Sequence, residues 1–114
     1  GVSDLEKKNP PHISLSATGL EIKDLKPNQH KSQTVVLTNT GKSDLQIKDM
    51  QVFNIALGVK LKKRTLKPGE STKMKVTVLA ENLPRVKGTP RVLMITNDPD
   101  QPKLTVRVKA SLME

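Results

Sequence analysis

Apolar and polar residues alternate one by one over most of this chain. The clearest run sets Leu104, Val106, Val108, Ala110 and Leu112 against Thr105, Arg107, Lys109 and Ser111. A period of two puts each set on its own face of an extended strand, the pattern a strand needs when one face meets a core and the other meets water. Met74, Val76 and Val78 alternate in the same way with Lys73, Lys75 and Thr77, and Val59 and Leu61 with Lys60, Lys62 and Arg64. Val35-Val36-Leu37, Leu45-Gln46-Ile47 and Val92 to Ile95 predict further strands. Residues 12–24 read as a first strand broken near Gly19. No stretch holds a 3.6-residue period long enough for a dependable helix, and residues 80–88 predict a helical turn at most.

Breakers fall between these runs. Lys26-Pro27-Asn28 turns the chain before the second strand, and Asn39-Thr40-Gly41 ends it. Pro68-Gly69 suits the two central positions of a type II turn, because Pro presets φ and Gly accepts a positive φ. Asn97-Asp98-Pro99 separates the last two strands, which are expected to pair as a hairpin. The fold class predicted is all-β, an immunoglobulin-like two-sheet antiparallel sandwich of about seven strands over residues 12–114. Residues 1–11, with capping-box spacing at Ser3-Asp4-Leu5-Glu6 and a stop at Pro10-Pro11, are expected to be a linker or the tail of a preceding domain.

Composition narrows the chemistry. Leu, Ile, Val and Phe make up 31 of 114 residues, above the roughly 20% below which disorder becomes the better expectation. Phe53 is the only aromatic and is expected in the core, so aliphatic side chains must do most of the packing. The absence of Cys excludes a disulfide scaffold, a thiol nucleophile and zinc sites built on Cys. No apolar run approaches the ~18 residues of a membrane helix; the longest is Val92-Leu93-Met94-Ile95. No signal-peptide pattern is present, and a chain starting at Gly1 allows for a leader removed ahead of it.

The formal net charge is +9, and it is unevenly placed. Acids and bases balance in residues 1–30, while residues 57–75 hold seven basic residues against Glu70 alone. Alternation puts Lys60, Lys62 and Arg64 on one face of their strand, and Lys73 and Lys75 on the outer face of the next. If these two strands pair, five cations form one patch with Lys63 and Lys67 at its margin. Such a patch fits a polyanion or an acidic partner, and equally a solvated sheet face whose lysines discourage edge-to-edge association. Specific nucleic-acid binding is not expected, because there is no aromatic platform for bases and no recognition helix.

The remaining candidates are sparse. His12 follows Pro10-Pro11 and His30 sits in a polar turn, neither with an acid partner at ligand spacing, so both read as solvated loop histidines. Asn97-Asp98-Pro99-Asp100 gathers three oxygen-bearing side chains in one loop. It reads more simply as a turn bonded to its own backbone than as the six or more oxygens calcium needs. No nucleophile elbow, phosphate-binding glycine loop or credible Ser-His-acid set occurs. The chain is therefore expected to have no catalytic residues, no metal and no cofactor.

Thr38-Asn39-Thr40-Gly41, Leu45-Gln46-Ile47, Leu66-Lys67-Pro68-Gly69-Glu70 and Thr96-Asn97-Asp98-Pro99 follow one another in an order and spacing that resembles a bacterial family of immunoglobulin-like domains of unknown function. That family is similar to the Hydin-type (ASH) and major-sperm-protein domains. The resemblance spans residues 12–112. It implies a seven-stranded sandwich, an extracytoplasmic setting in a Gram-negative bacterium (periplasm, cell surface or secreted), and a place in a longer exported protein. It implies no activity. Many members carry Cys-Gly-Cys after the third strand, where this chain has Val52 to Ala56 without Cys, so any metal or redox role of those cysteines is absent.

The function expected is a structural or interaction module of an exported multi-domain protein. Its edge strands and loops, residues 57–64 above all, would contact other domains of the same chain or envelope proteins. The alternative is a domain that binds an acidic glycan or other polyanion on its basic face.

Overall fold

The structure, a computed structural model, describes residues 9–52, 54–86 and 88–113. The expected first strand is two strands, β1 (Ile13–Leu15) and β2 (Gly19–Leu25). They are followed by β3 (His30–Asn39), β4 (Leu45–Val52), β5 (Leu57–Leu61), β6 (Thr65–Leu66) and β7 (Ser71–Leu79). A short 3-10 helix (Ala80–Arg85) leads to β8 (Arg91–Thr96) and β9 (Lys103–Leu112). One sheet has the order β1-β3-β7-β5 and the other β2-β9-β8-β4-β6.

The all-β immunoglobulin-like sandwich is as the alternation predicts, with two corrections. Among the described residues nine strands replace seven, because the first strand changes sheets between Leu15 and Gly19 and because β6 forms a two-residue rung on β4. The sandwich is also not wholly antiparallel: β2 runs parallel to β9. Chain direction is kept across the sheet change, so a strand antiparallel to β3 in one sheet lies parallel to β9 in the other. The β2–β9 ladder slips between Ile22 and Leu25, where Asp24 takes a positive φ of 57°, a conformation Asp tolerates better than most side chains.

Inward positions of both sheets close one core. Val35 and Leu37 of β3 and Met74, Val76 and Val78 of β7 are buried with Val92 and Met94 of β8 and Val106 and Val108 of β9. Each fully buried side chain of this size contributes about 1.5–3 kcal/mol relative to exposure. Phe53, expected to join this core, lies outside the described residues, as do Ser3 to Glu6 of the expected capping box. Gly69 has φ +83°, and the Glu70 N–H donates to the Lys67 carbonyl at 2.9 Å, which makes Pro68-Gly69 the turn its sequence predicts. β8 and β9 pair antiparallel across Asn97–Pro102 as the expected hairpin.

The described part of the expected linker lies against the domain. The Lys42 N–H donates to the Pro10 carbonyl and the Thr40 N–H to the His12 carbonyl. Ser43 Oγ donates to the Asn9 carbonyl. Gly41 faces this segment so closely that a Cβ there would stand 2.4 Å from the Pro10 carbonyl oxygen and 2.5 Å from the His12 nitrogen.

Candidate interaction surface

The outer face of the four-stranded sheet is the surface the lysine pattern points to. Lys60 of β5 is the register partner of Lys75 in β7, and Lys73 lies two residues along β7 on the same face. Beyond β7 the face continues into β3, where Thr34 partners Lys75 and Val36 partners Lys73. Hydroxyls pair across the same strands: Ser32 with Thr77 at 2.7 Å and Thr38 with Ser71 at 2.7 Å. None of the four strands contains Asp or Glu. Like charges directly opposite one another weaken a ladder rather than support it, so this face holds its positive potential at a small cost to the fold.

The five-cation patch does not form as one strand face. β5 ends at Leu61, and Lys62, Lys63 and Arg64 make the crossing to β6 in the other sheet. There the Ile47 N–H donates to the Arg64 carbonyl at 2.7 Å. Alternation in the sequence continues past Leu61, but the chain leaves the sheet. Lys60, Lys73 and Lys75 therefore share the face, while Lys62 and Arg64 are exposed on the connection. Lys63 is turned to Glu70 at 2.5 Å; that hydrogen bond, with the Lys67 backbone N–H, holds the Glu70 carboxyl below its ordinary value.

The turns that carry the family pattern gather at one end of the sandwich. Asn39 is fully buried. Its Oδ1 accepts the N–H groups of His12 and Gly41, and its Nδ2 donates to the carbonyls of Ser43 and Leu66. Its backbone accepts the Gly69 N–H at 2.7 Å, which ties the Pro68-Gly69 turn to the same point. Asn97 accepts the Gln46 N–H and donates to the Asp44 carbonyl, so it binds the start of β4 rather than its own turn. Pro99 follows Asp98, which is buried.

Asp98 ties together the loop that had calcium as one reading. Its Oδ1 accepts the N–H of Asp100 at 2.8 Å and of Gln101 at 3.3 Å, and its Oδ2 accepts that of Ile13 at 3.0 Å. His12 Nδ1, Asp98 and Asp100 offer atoms within 4.8 Å of one another. Both Asp98 oxygens accept backbone donors, so the carboxylate acts as a clamp that closes the hairpin onto the entry of β1.

Sequence reasoning missed the partners of both histidines. His12 Nδ1 lies 3.3 Å from Asp98 Oδ2, and His30 Nε2 lies 2.8 Å from Glu81 Oε1, which holds the Glu81 carboxyl below its ordinary value. Each partner is far along the chain, where local spacing carries no signal. Both histidines remain about half exposed.

A family model described as HYDIN/CFA65/VesB-like, Ig-like domain matches residues 11–111. No curated protein sequence matches the chain. Among solved structures, a Porphyromonas gingivalis protein of unknown function is similar at 24% identity with a TM-score of 0.82, over 90% of this chain and 47% of that one. The Vibrio cholerae VesB protease is similar at 18% identity with a TM-score of 0.66, over 93% of this chain and 33% of that one. This chain thus spans about half the length of the first and a third of the second. An ASH/PapD-like domain of human CEP192 is similar at 11% identity with a TM-score of 0.60, over 90% of this chain and 85% of that one. At these identities the likeness is one of fold.

Proposed function

This chain belongs to the HYDIN/CFA65/VesB-like family of immunoglobulin-like domains, and we propose that it is a non-catalytic interaction module whose β5 edge receives an extended segment of a partner protein. The observation that carries this reading is the position of β5, which has β7 on one side and stands last in its sheet. The Leu79 N–H donates to the Ala56 carbonyl at 2.7 Å. Antiparallel alternation from that bond gives the ladder bonds to Gly58 and Lys60 and turns the N–H and C=O of Val59 and Leu61 away from β7. An added strand would bond there through its main chain. Lys60, Lys73 and Lys75 beside that edge would favour an acidic segment.

The setting proposed is a longer exported bacterial protein, with residues 1–11 leading in from a neighbouring domain. The fold shared with SfaE, a periplasmic chaperone, supports such a setting. No helix among the described residues is long and apolar enough to cross a membrane. A second reading, in which an acidic glycan or other polyanion lies on Lys60, Lys73 and Lys75, is favoured by the absence of carboxylates from the four strands of that sheet.

The test is affinity capture from a bacterial envelope extract with three proteins: wild type, Val59→Pro and the double variant Lys60→Glu, Lys75→Glu. Val59 bonds outward, so proline there removes no bond to β7. A protein retained by wild type, held more weakly by the double variant and lost with Val59→Pro supports the edge. Loss with the double variant and with added salt, but not with proline, supports the polyanion reading and overturns the edge.

A further inference from the structure

The opposite sheet holds a second set of cations on its outer face. Arg91 of β8 and Arg107 of β9 are direct register partners and both are exposed, so their side chains leave the same face of the sheet from neighbouring strands. Arg107 is also the partner of Gly19 in β2, and Lys109 the partner of Glu21. A Cβ built on Gly19 would have nothing within 4 Å. Gly19 borders an open hollow of about 390 Å³ lined also by Thr18, Leu20, Glu21, Arg107 and Lys109. Glu21, the one carboxylate among the described residues on its rim, is bonded to Lys23 at 2.6 Å.

We propose that this hollow binds a phosphate monoester, held between Arg107, Arg91 and Lys109 with the rest of the ligand lying over Gly19. Two like charges directly opposite weaken a ladder, and an oxyanion shared between them reverses the sign of that interaction. Paired guanidinium forks fit a tetrahedral oxyanion with two parallel hydrogen bonds each, and Lys109 adds a point charge. Three cations suit a dianion better than a single carboxylate. A soluble monoester and a lipid headgroup present the same chemistry to these groups. The site lies on the sheet opposite β5 and does not depend on how that edge is used.

The experiment is an NMR titration of the ¹⁵N-labelled protein with inorganic phosphate, with acetate at equal ionic strength as the comparison. Saturable shifts centred on Gly19, Arg91, Arg107 and Lys109, weakened about tenfold by Arg107→Gln, are expected. Gly19→Leu puts a side chain into the hollow without changing charge, at a residue whose φ is not in the left-handed region, and should weaken binding as much. Lys60→Glu, on the other sheet, should leave it unchanged. Shifts that do not saturate, that acetate reproduces, or that survive both Arg107→Gln and Gly19→Leu would mean an adventitious ion only and overturn the proposal. Flotation with phosphatidic-acid vesicles separates the sources. Vesicle binding abolished by Arg107→Gln assigns the lipid headgroup, and phosphate binding without vesicle binding assigns a soluble monoester.

Discussion

The Oδ2 of Asp98 accepts the backbone N–H of Ile13 at 3.0 Å, across 85 residues of sequence. Both groups are buried, and with Asp100 and Gln101 the carboxylate satisfies three backbone donors. Each donor left without a partner costs about 1–3 kcal/mol. The Gln101 N–H keeps the Asp98 backbone carbonyl as an acceptor at 3.2 Å and Asp100 is exposed, so Asp98→Ala, which orphans the buried Ile13 N–H, should lose about 1–3 kcal/mol in denaturant unfolding. Asp98→Asn should recover only part, since an amide offers one acceptor where two are used. A loss within about 0.5 kcal/mol, the scale of an ordinary surface change, would show that the clamp is not needed.

Gly41 has a different reason to be glycine. A methyl group there would meet the backbone of Pro10, Pro11 and His12 at 2.4 to 2.7 Å. Gly41→Ala should cost about 1–3 kcal/mol, the usual scale of overpacking. Because the clash is with the entry segment, hydrogen exchange should quicken first at Thr40 and Lys42, whose N–H groups bond to that segment.

The acid limb of stability should report two pairs in particular, beside that of Glu21 with Lys23. Glu70 is held low by the hydrogen bond from Lys63 and Glu81 by that from His30. A carboxyl held low in the folded state stabilises the fold above its ordinary value of 4.5, and the contribution disappears as pH falls through the lower folded value. Carbon-detected NMR should find both carboxyls titrating below 4.5. Lys63→Ala should raise Glu70 part of the way, because the Lys67 N–H still donates to it. An unmoved Glu70 midpoint would show that the Lys63 contact does not persist in solution.

Lys60 and Lys75 sit opposite each other, so Lys60→Glu replaces repulsion with attraction. A cross-strand pair of this kind is worth about 0.2–1 kcal/mol. The variant should be more stable than wild type at low salt, and the gain should shrink as salt rises. A variant less stable at low salt would place the two side chains apart.

The strands and their outward faces were legible because a period of two is a local signal. β3, β7, β8 and β9 stand where alternation puts them, and Pro68-Gly69 turns as its two residues dictate. What alternation does not carry is where the chain leaves a sheet. Lys62 and Arg64 continue the pattern of Lys60 but lie on the crossing to β6, and residues 12–24 divide between two sheets. Asp98 and Asn39 were recognisable as turn residues, yet their partners lie 85 and 27 residues away. The facing of Arg91 and Arg107 likewise depends on the β8–β9 register rather than on either strand alone.

The central claim is that β5 is the edge a partner strand joins, and hydrogen exchange on the captured complex tests it most directly. The account predicts that the Val59 and Leu61 amides, turned away from β7, exchange readily in the free domain and become protected in the complex. Gly58 and Lys60, already bonded to β7, should change little. Protection confined to the lysine face or to the loops, with Val59 and Leu61 unchanged, would contradict it.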